Sequence, residues 1–304
     1  NGTEENIIRF TASETSAQWS SIIFDNSWNG CSLTHVDFID LYSPVSTTGD
    51  FTMEVSDISA TAINDLEFGG RDVSNITISG KVGTSTILGG SNIDGLTVTD
   101  SEAPILNLQG TTLTNATFDG ISEGDIIAVN NGGTLENISI TNCSTTRGIM
   151  IHPATNSTVT MTNIDIQYNS LDAIYINSDN SPCQINAFHV NVSHNDGTGF
   201  NIQAGNNVSV NVHTIIASHN TGHGFITHST LNLNHATLIM NGSYGYYSNN
   251  NPSTIYNSVC YFNDCGPDPH GNDCWEGYND NPMYLDFETY ELHPDSPLID
   301  GGDE

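Results

Sequence analysis

The block Ser193-His194-Asn195-Asp196-Gly197-Thr198-Gly199-Phe200 returns 25 residues later as Ser218-His219-Asn220-Thr221-Gly222-His223-Gly224-Phe225. A block that recurs at fixed spacing builds one unit repeatedly, and each unit must bury its apolar face against the next. The repeat continues upstream through Asn169-Ser170-Leu171-Asp172-Ala173-Ile174 and, more loosely, Asn142-Cys143-Ser144-Thr145-Thr146-Arg147-Gly148-Ile149. Downstream it continues as Asn241-Gly242-Ser243-Tyr244-Gly245-Tyr246. Between these anchors lie alternating runs such as Thr158-Val159-Thr160-Met161-Thr162, Val208-Ser209-Val210-Asn211-Val212 and Leu231-Asn232-Leu233. Period-two alternation marks strands with one buried face. A repeat of 21 to 27 residues holds two or three such strands with polar turns and leaves no room for an amphipathic helix. Leucine-rich-repeat and βαβ arrangements fail on that ground, and an all-β parallel β-helix of about nine to eleven coils is expected.

In a solenoid, residues one repeat apart stack at roughly the 4.8 Å strand spacing. Asn142, Asn169, Asn195, Asn220 and Asn241 are therefore expected to form a column pointing inward at a turn. Asn tolerates left-handed turn geometry, and its amide can bond to copies above and below, which makes the column a structural device. Ile149, Ile174, Phe200, Phe225 and Tyr246 form a second expected column, the apolar core.

The N-terminal part follows the same grammar with less regular spacing. Trp19–Asp25, Cys31–Phe38, Ile76-Thr77-Ile78 and Leu96-Thr97-Val98 read as strands between Gly, Asn and Ser turns. No linker interrupts the pattern, so residues 1–304 read as one domain, with regular coils at about 70–263 and a short irregular C-terminal cap at about 264–304. A first coil opening at Ile7-Ile8-Arg9-Phe10, with no amphipathic capping helix, leaves strand edges to be covered by self-association or by flanking domains.

The Asn-(x)n-Gly-aromatic or aliphatic repeat over residues ~70 to 250 resembles the secreted right-handed parallel β-helix family of microbial surface proteins and polysaccharide-acting enzymes. The ending resembles the closing segment of microbial surface β-helix proteins: Asn281-Pro282-Met283-Tyr284-Leu285-Asp286, then Asp295-Ser296-Pro297-Leu298-Ile299-Asp300-Gly301-Gly302-Asp303. The resemblance implies a right-handed coil and an extracellular or cell-surface location. It does not fix activity, because this fold hosts lyases, hydrolases, adhesins and structural fibres.

Composition narrows the partners. Asp and Glu number 35 against 4 Lys and Arg, a formal charge of −31. Such a field repels phosphate backbones and anionic bilayers, so nucleic acid is excluded as a partner. No apolar run approaches the ~18 residues of a membrane span, and the first residues lack a charged-then-apolar leader, so the chain reads as mature or excised, without direct membrane insertion. Six cysteines form no C-x-x-C motif. The cluster Cys260, Cys265 and Cys274 is expected to hold at least one disulfide of unassigned pairing.

Basic catalytic residues are scarce. Gly222-His223-Gly224 matches a short motif of polygalacturonase relatives of this fold, but those enzymes also need an Arg-x-Lys, and no Lys or Arg follows Arg147. Proton abstraction by a polysaccharide lyase has only Arg9, Arg71, Lys81 and Arg147 to draw on. The column one place before each Gly or Ala of the apolar stack is more promising: Arg147, Asp172, Thr198, His223 and Tyr244 should project together at one edge, suited to binding a polysaccharide. The plain alternative is a solvated turn column with an Arg147–Asp172 ion pair. His194 and His219 stack one coil apart without a visible third metal ligand. Calcium suits the Asp and Asn oxygens better than a transition metal, though no Asp-x-Asp-x-Asp-Gly loop is present, and no cofactor is specified. Tyr175, Tyr247, Trp275 and Tyr278 are candidates for stacking on sugar rings or for packing the cap. The expected role is an extracellular domain that is structural, adhesive or self-assembling. The alternative is a glycan-active enzyme using two carboxylates, which the sequence does not identify.

Overall fold

The structure is a computed structural model. It describes residues 105–144, 147–178, 182–204 and 207–248 continuously, together with 3, 6–11, 22–24, 31–40, 45–47, 53–61, 63, 72–81, 92–102, 253–256, 258–261, 263, 284–286 and 291–294. Among these residues there is no helix.

Strands stack in parallel, coil upon coil, as a β-helix of about eight turns. A thirteen-stranded ladder runs from Ile8–Thr11 to Ser253–Tyr256 and Val259–Tyr261, and a seven-stranded ladder runs from Leu106–Leu108 to Tyr246–Ser248. Of the C-terminal segment, Tyr284–Asp286 pairs antiparallel with Glu291–Leu292.

Each long strand is bent. In Thr158–Gln167, Val159 and Met161 face inward, and then Ile164 and Ile166 do, a step of three where the pleat dictates two. The extra residue, Asn163, has φ 54°. The same left-handed corner is taken by His35, Asp57, Asn75, Gly95, Asn115, Asn137, His189, Thr214 and His235 in register. A second left-handed corner ends the long strand at Asp40, Gly80, Asp100, Gly120, Asn142, Tyr168, His194, His219 and Met240. Two corners per coil fold the long ladder into two faces, and the short ladder closes the third.

The core fills the space between the three faces as one cluster running from Leu33 to Cys260. The expected apolar column is present: Ile149, Ile174, Phe200, Phe225 and Tyr246 pair in register, and Leu106 and Ile127 extend it. Phe200 and Phe225 stack at 4.9 Å and 11°. Burying each such side chain contributes roughly 1.5–3 kcal/mol.

The Asn column is corrected by one residue at its start. Asn169, Asn195, Asn220 and Asn241 are buried, and each Nδ2 donates to the Oδ1 of the next, at 2.8–3.0 Å, ending on Asn263. Asn142 is not among them. It occupies the exposed left-handed corner and donates to Asp119, while its neighbour Cys143 takes the buried place, its backbone N–H donating to Asn169 Oδ1 at 3.0 Å. Asn suits both adjacent positions, so the Asn of this coil falls one place before the buried one. The ladder also explains the Gly before each aromatic residue: a Cβ on Gly224 would lie 2.8 Å from Asn241 Nδ2 and 2.7 Å from the Gly245 carbonyl oxygen.

Cys143 and Cys183 are free, buried thiols. Cys260 is buried, but Cys265 and Cys274, and hence the expected pairing within this trio, lie outside the described residues.

Candidate functional site

The short ladder places the predicted column on one face. Arg147 opens the strand Arg147–Ile151 and sits in register with Asp172, which opens Asp172–Ile176. Thr198, His223 and Tyr244 follow on successive coils: the Ala173 N–H donates to the Thr198 carbonyl, the Gly199 N–H to that of His223, and the Gly224 N–H to that of Tyr244. Four coil steps separate Arg147 from Tyr244, about 19 Å at the strand spacing. Three places further along each strand, a parallel outward column carries Met150, Tyr175, Asn201, Ile226 and Tyr247.

Arg147 is not paired with Asp172. Its Nη1 lies 3.3 Å from Asp125 Oδ2, on the preceding coil, and its guanidinium carbon sits 4.1 Å above the Tyr175 ring. Asp125 is in register with Arg147 and extends the column upstream, where the loose spacing of Gly124-Asp125-Ile126-Ile127 hid it from the repeat pattern. Burial pushes the Asp125 carboxyl above its ordinary value, and Arg147 opposes the shift. Asp172 is held instead by the Thr198 N–H at 2.8 Å and Asn201 Nδ2 at 2.7 Å, and Gln203 Nε2 donates to Asn201 Oδ1. The result is a fixed polar relay across three outward columns.

At the far end His223, Tyr244 and Tyr247 form a ring cluster, with centroids 5.4–5.7 Å apart. The Tyr244 N–H donates to His223 Nδ1, which assigns the ring proton of the neutral imidazole to Nε2. Burial lowers the His223 pKa, while the charge of Asp172 acts the other way. Thr198 is buried, so it supports the column without presenting its side chain.

The remaining candidates separate from this face. His194 and His219 stack at 4.6 Å and 3°, with Tyr168 on His194 at 4.9 Å, along the second corner. Among the described residues no group of three His, Cys, Asp or Glu is placed to hold a metal. Trp275 and Tyr278 lie outside the described residues. Comparison with protein-family models, with curated proteins and with solved structures finds no match.

Proposed function

We propose that the chain is an extracellular β-helix domain of a microbial surface protein, structural and adhesive in role, whose short-strand face contacts a glycan. One observation carries the reading. Arg147 is pinned by Asp125 and Tyr175 through Nη1 and one ring face, which leaves its Nε and Nη2 donors without a protein partner among the described residues. Fixed donors beside the Asp172–Asn201–Gln203 relay match sugar hydroxyls, and Tyr175, Tyr244 and Tyr247 offer rings for sugar faces. The scarcity of basic residues and the surface-protein-like ending favour an adhesive or self-assembling role over catalysis. Arg147→Ala is expected to reduce binding on a glycan array by about tenfold or more, the loss of a charge-assisted contact, with little change in melting temperature. Unchanged array binding in that variant contradicts the reading.

One feature favours a second reading, a glycoside hydrolase. Asp125, with its raised pKa, and Asp172 lie two coils apart on one column, about 9–10 Å by strand spacing, near the separation inverting enzymes use. Release of reducing sugar that disappears in Asp125→Asn would support it.

A further inference from the structure

A cavity of about 530 Å³ lies on a different face, at the first left-handed corner of the N-terminal coils. Register explains its lining. His35, Asp57 and Asn75 stack at the corner, and two residues on, Asp37, Ser59 and Thr77 form the adjoining outward column. Ile8 pairs with Val36, which puts Ile7 level with His35, where it forms an apolar wall and is 52% exposed. Among the described coils, Asp57 is the only carboxylate at this corner, which is Asn or Gly from Asn75 to Asn163. The chemistry of the corner therefore changes where the cavity is.

The polar atoms are partly committed. Arg9 Nε and Nη2 both donate to Asp37 Oδ2, at 3.3 and 3.0 Å, leaving Oδ1 with no partner among the described residues. Asp57 accepts from Ser56 Oγ at 3.0 Å and Asn75 Nδ2 at 3.1 Å, one bond on each oxygen, and a carboxylate has room for about four. His35 Nε2 stands 3.8 Å from Asp57 Oδ2, too far for a hydrogen bond, while its Nδ1 is shut in without a partner. A hydroxyl seated between Nε2 and Oδ2 could bond to both.

We propose that this corner is a binding site for one neutral sugar residue, separate from the short-strand face. The choice of ligand follows from charge. Two carboxylates repel an anion. A cation finds Asp37 already paired with Arg9, and no metal-holding group of side chains is present among the described residues. Sugar hydroxyls both donate and accept, as the Asp37 and Asp57 oxygens, His35 Nε2 and the Ser59 and Thr77 hydroxyls require, and Ile7 can cover a C–H face of the ring.

The test is saturation-transfer NMR on the full chain with glucose, mannose, galactose and N-acetylglucosamine as probes. Asp57→Asn and His35→Asn are the informative variants, because Asn adopts left-handed corners readily and is native on the neighbouring coil. At least one probe is expected to bind wild type, to shift the Asn75 and Thr77 amides, and to lose about tenfold or more in affinity in both corner variants. Should a corner variant fail to fold, shifts of the Asn75 and Thr77 amides on adding the sugar to wild-type protein supply the same answer. Absence of binding by all four sugars overturns the proposal, as does binding that survives both corner substitutions. Binding lost in Arg147→Ala and kept in Asp57→Asn moves the sugar to the short-strand face and also overturns it.

Discussion

From Asn169 onward the buried corner position is Asn on every described coil to Asn263, whereas from residue 81 to 143 the same position holds Lys81, Ser101, Ile121 and Cys143. The backbone poses the same problem in both regions, because the corner N–H points along the axis toward the next coil. Asn195 N–H finds Asn220 Oδ1 at 3.2 Å, Lys81 N–H finds Ser101 Oγ at 3.0 Å, and Ile121 N–H finds Cys143 Sγ at 3.4 Å. Each of these N–H groups ends on a side-chain acceptor of the next coil, which Ser101 and Cys143 supply but Ile121 does not. Asn adds a second bond, since the same Oδ1 takes the neighbouring amide, and a third, since Nδ2 also reaches a backbone carbonyl, as Asn220 does to Val192 at 2.9 Å. In the amide region the side chains bond to one another across coils, while in the other region each acceptor takes one N–H from the neighbouring coil and gives its own proton to a carbonyl two residues back, Ser101 to Thr99 and Cys143 to Thr141.

The largest expected effect lies in that difference. Asn220→Ala removes bonds to Asn195, Asn241 and Val192 from a buried site and should cost about 2–4 kcal/mol in chemical denaturation, against about 1 kcal/mol for Ser101→Ala. Equal losses would erase the distinction between the two regions. The thiol at the junction gives the next test. Burial pushes Cys143 up to about 11 from 9.0. Native protein near neutral pH should therefore label with a maleimide at Cys143 at least about a hundredfold more slowly than unfolded protein, from the lost thiolate alone.

The exposed corner offers a smaller effect of opposite sign. Thr214 carries a β-branched side chain at φ 61°, a position where Asn163 sits two coils earlier. Thr214→Asn should stabilise by about 1 kcal/mol, read as a rise in melting temperature. The smallest effect belongs to His223. Its folded pKa is depressed by burial, so the neutral form is favoured in the native state. The associated stability is present above the unfolded value of about 6.5 and is lost as pH falls toward the folded one. The melting temperature of His223→Gln should fall less than that of wild type between neutral and mildly acidic pH.

Much of this was legible because repetition makes position meaningful. The apolar stack from Ile149 to Tyr246 and the surface column from Arg147 to Tyr244 were fixed by a constant offset from Gly or Ala, and both stand in register. Asn142 mimics the ladder residue in sequence because two neighbouring corner sites favour Asn for different reasons, left-handed φ at one and a buried amide at the other. The repeat sets Arg147 beside the carboxylate downstream because the coil containing Asp125 lacks the Asn anchor. The corner cavity left no trace in the repeat, since His35 and Asp37 belong to coils whose spacing is irregular, and register alone brings them beside Asp57 and Ile7.

Native-state hydrogen exchange of the corner backbone amides tests the central claim most directly. The N–H groups of Asn169, Asn195, Asn220 and Asn241 each end on a side-chain amide oxygen at 3.0–3.2 Å, within a chain that must break to release them. They should exchange at least about tenfold more slowly than those of Lys81 and Ile121, which end on a single hydroxyl and a single thiol. Equal or slower exchange at Lys81 and Ile121 would contradict the account, because the stacked amides would then add nothing to the corner.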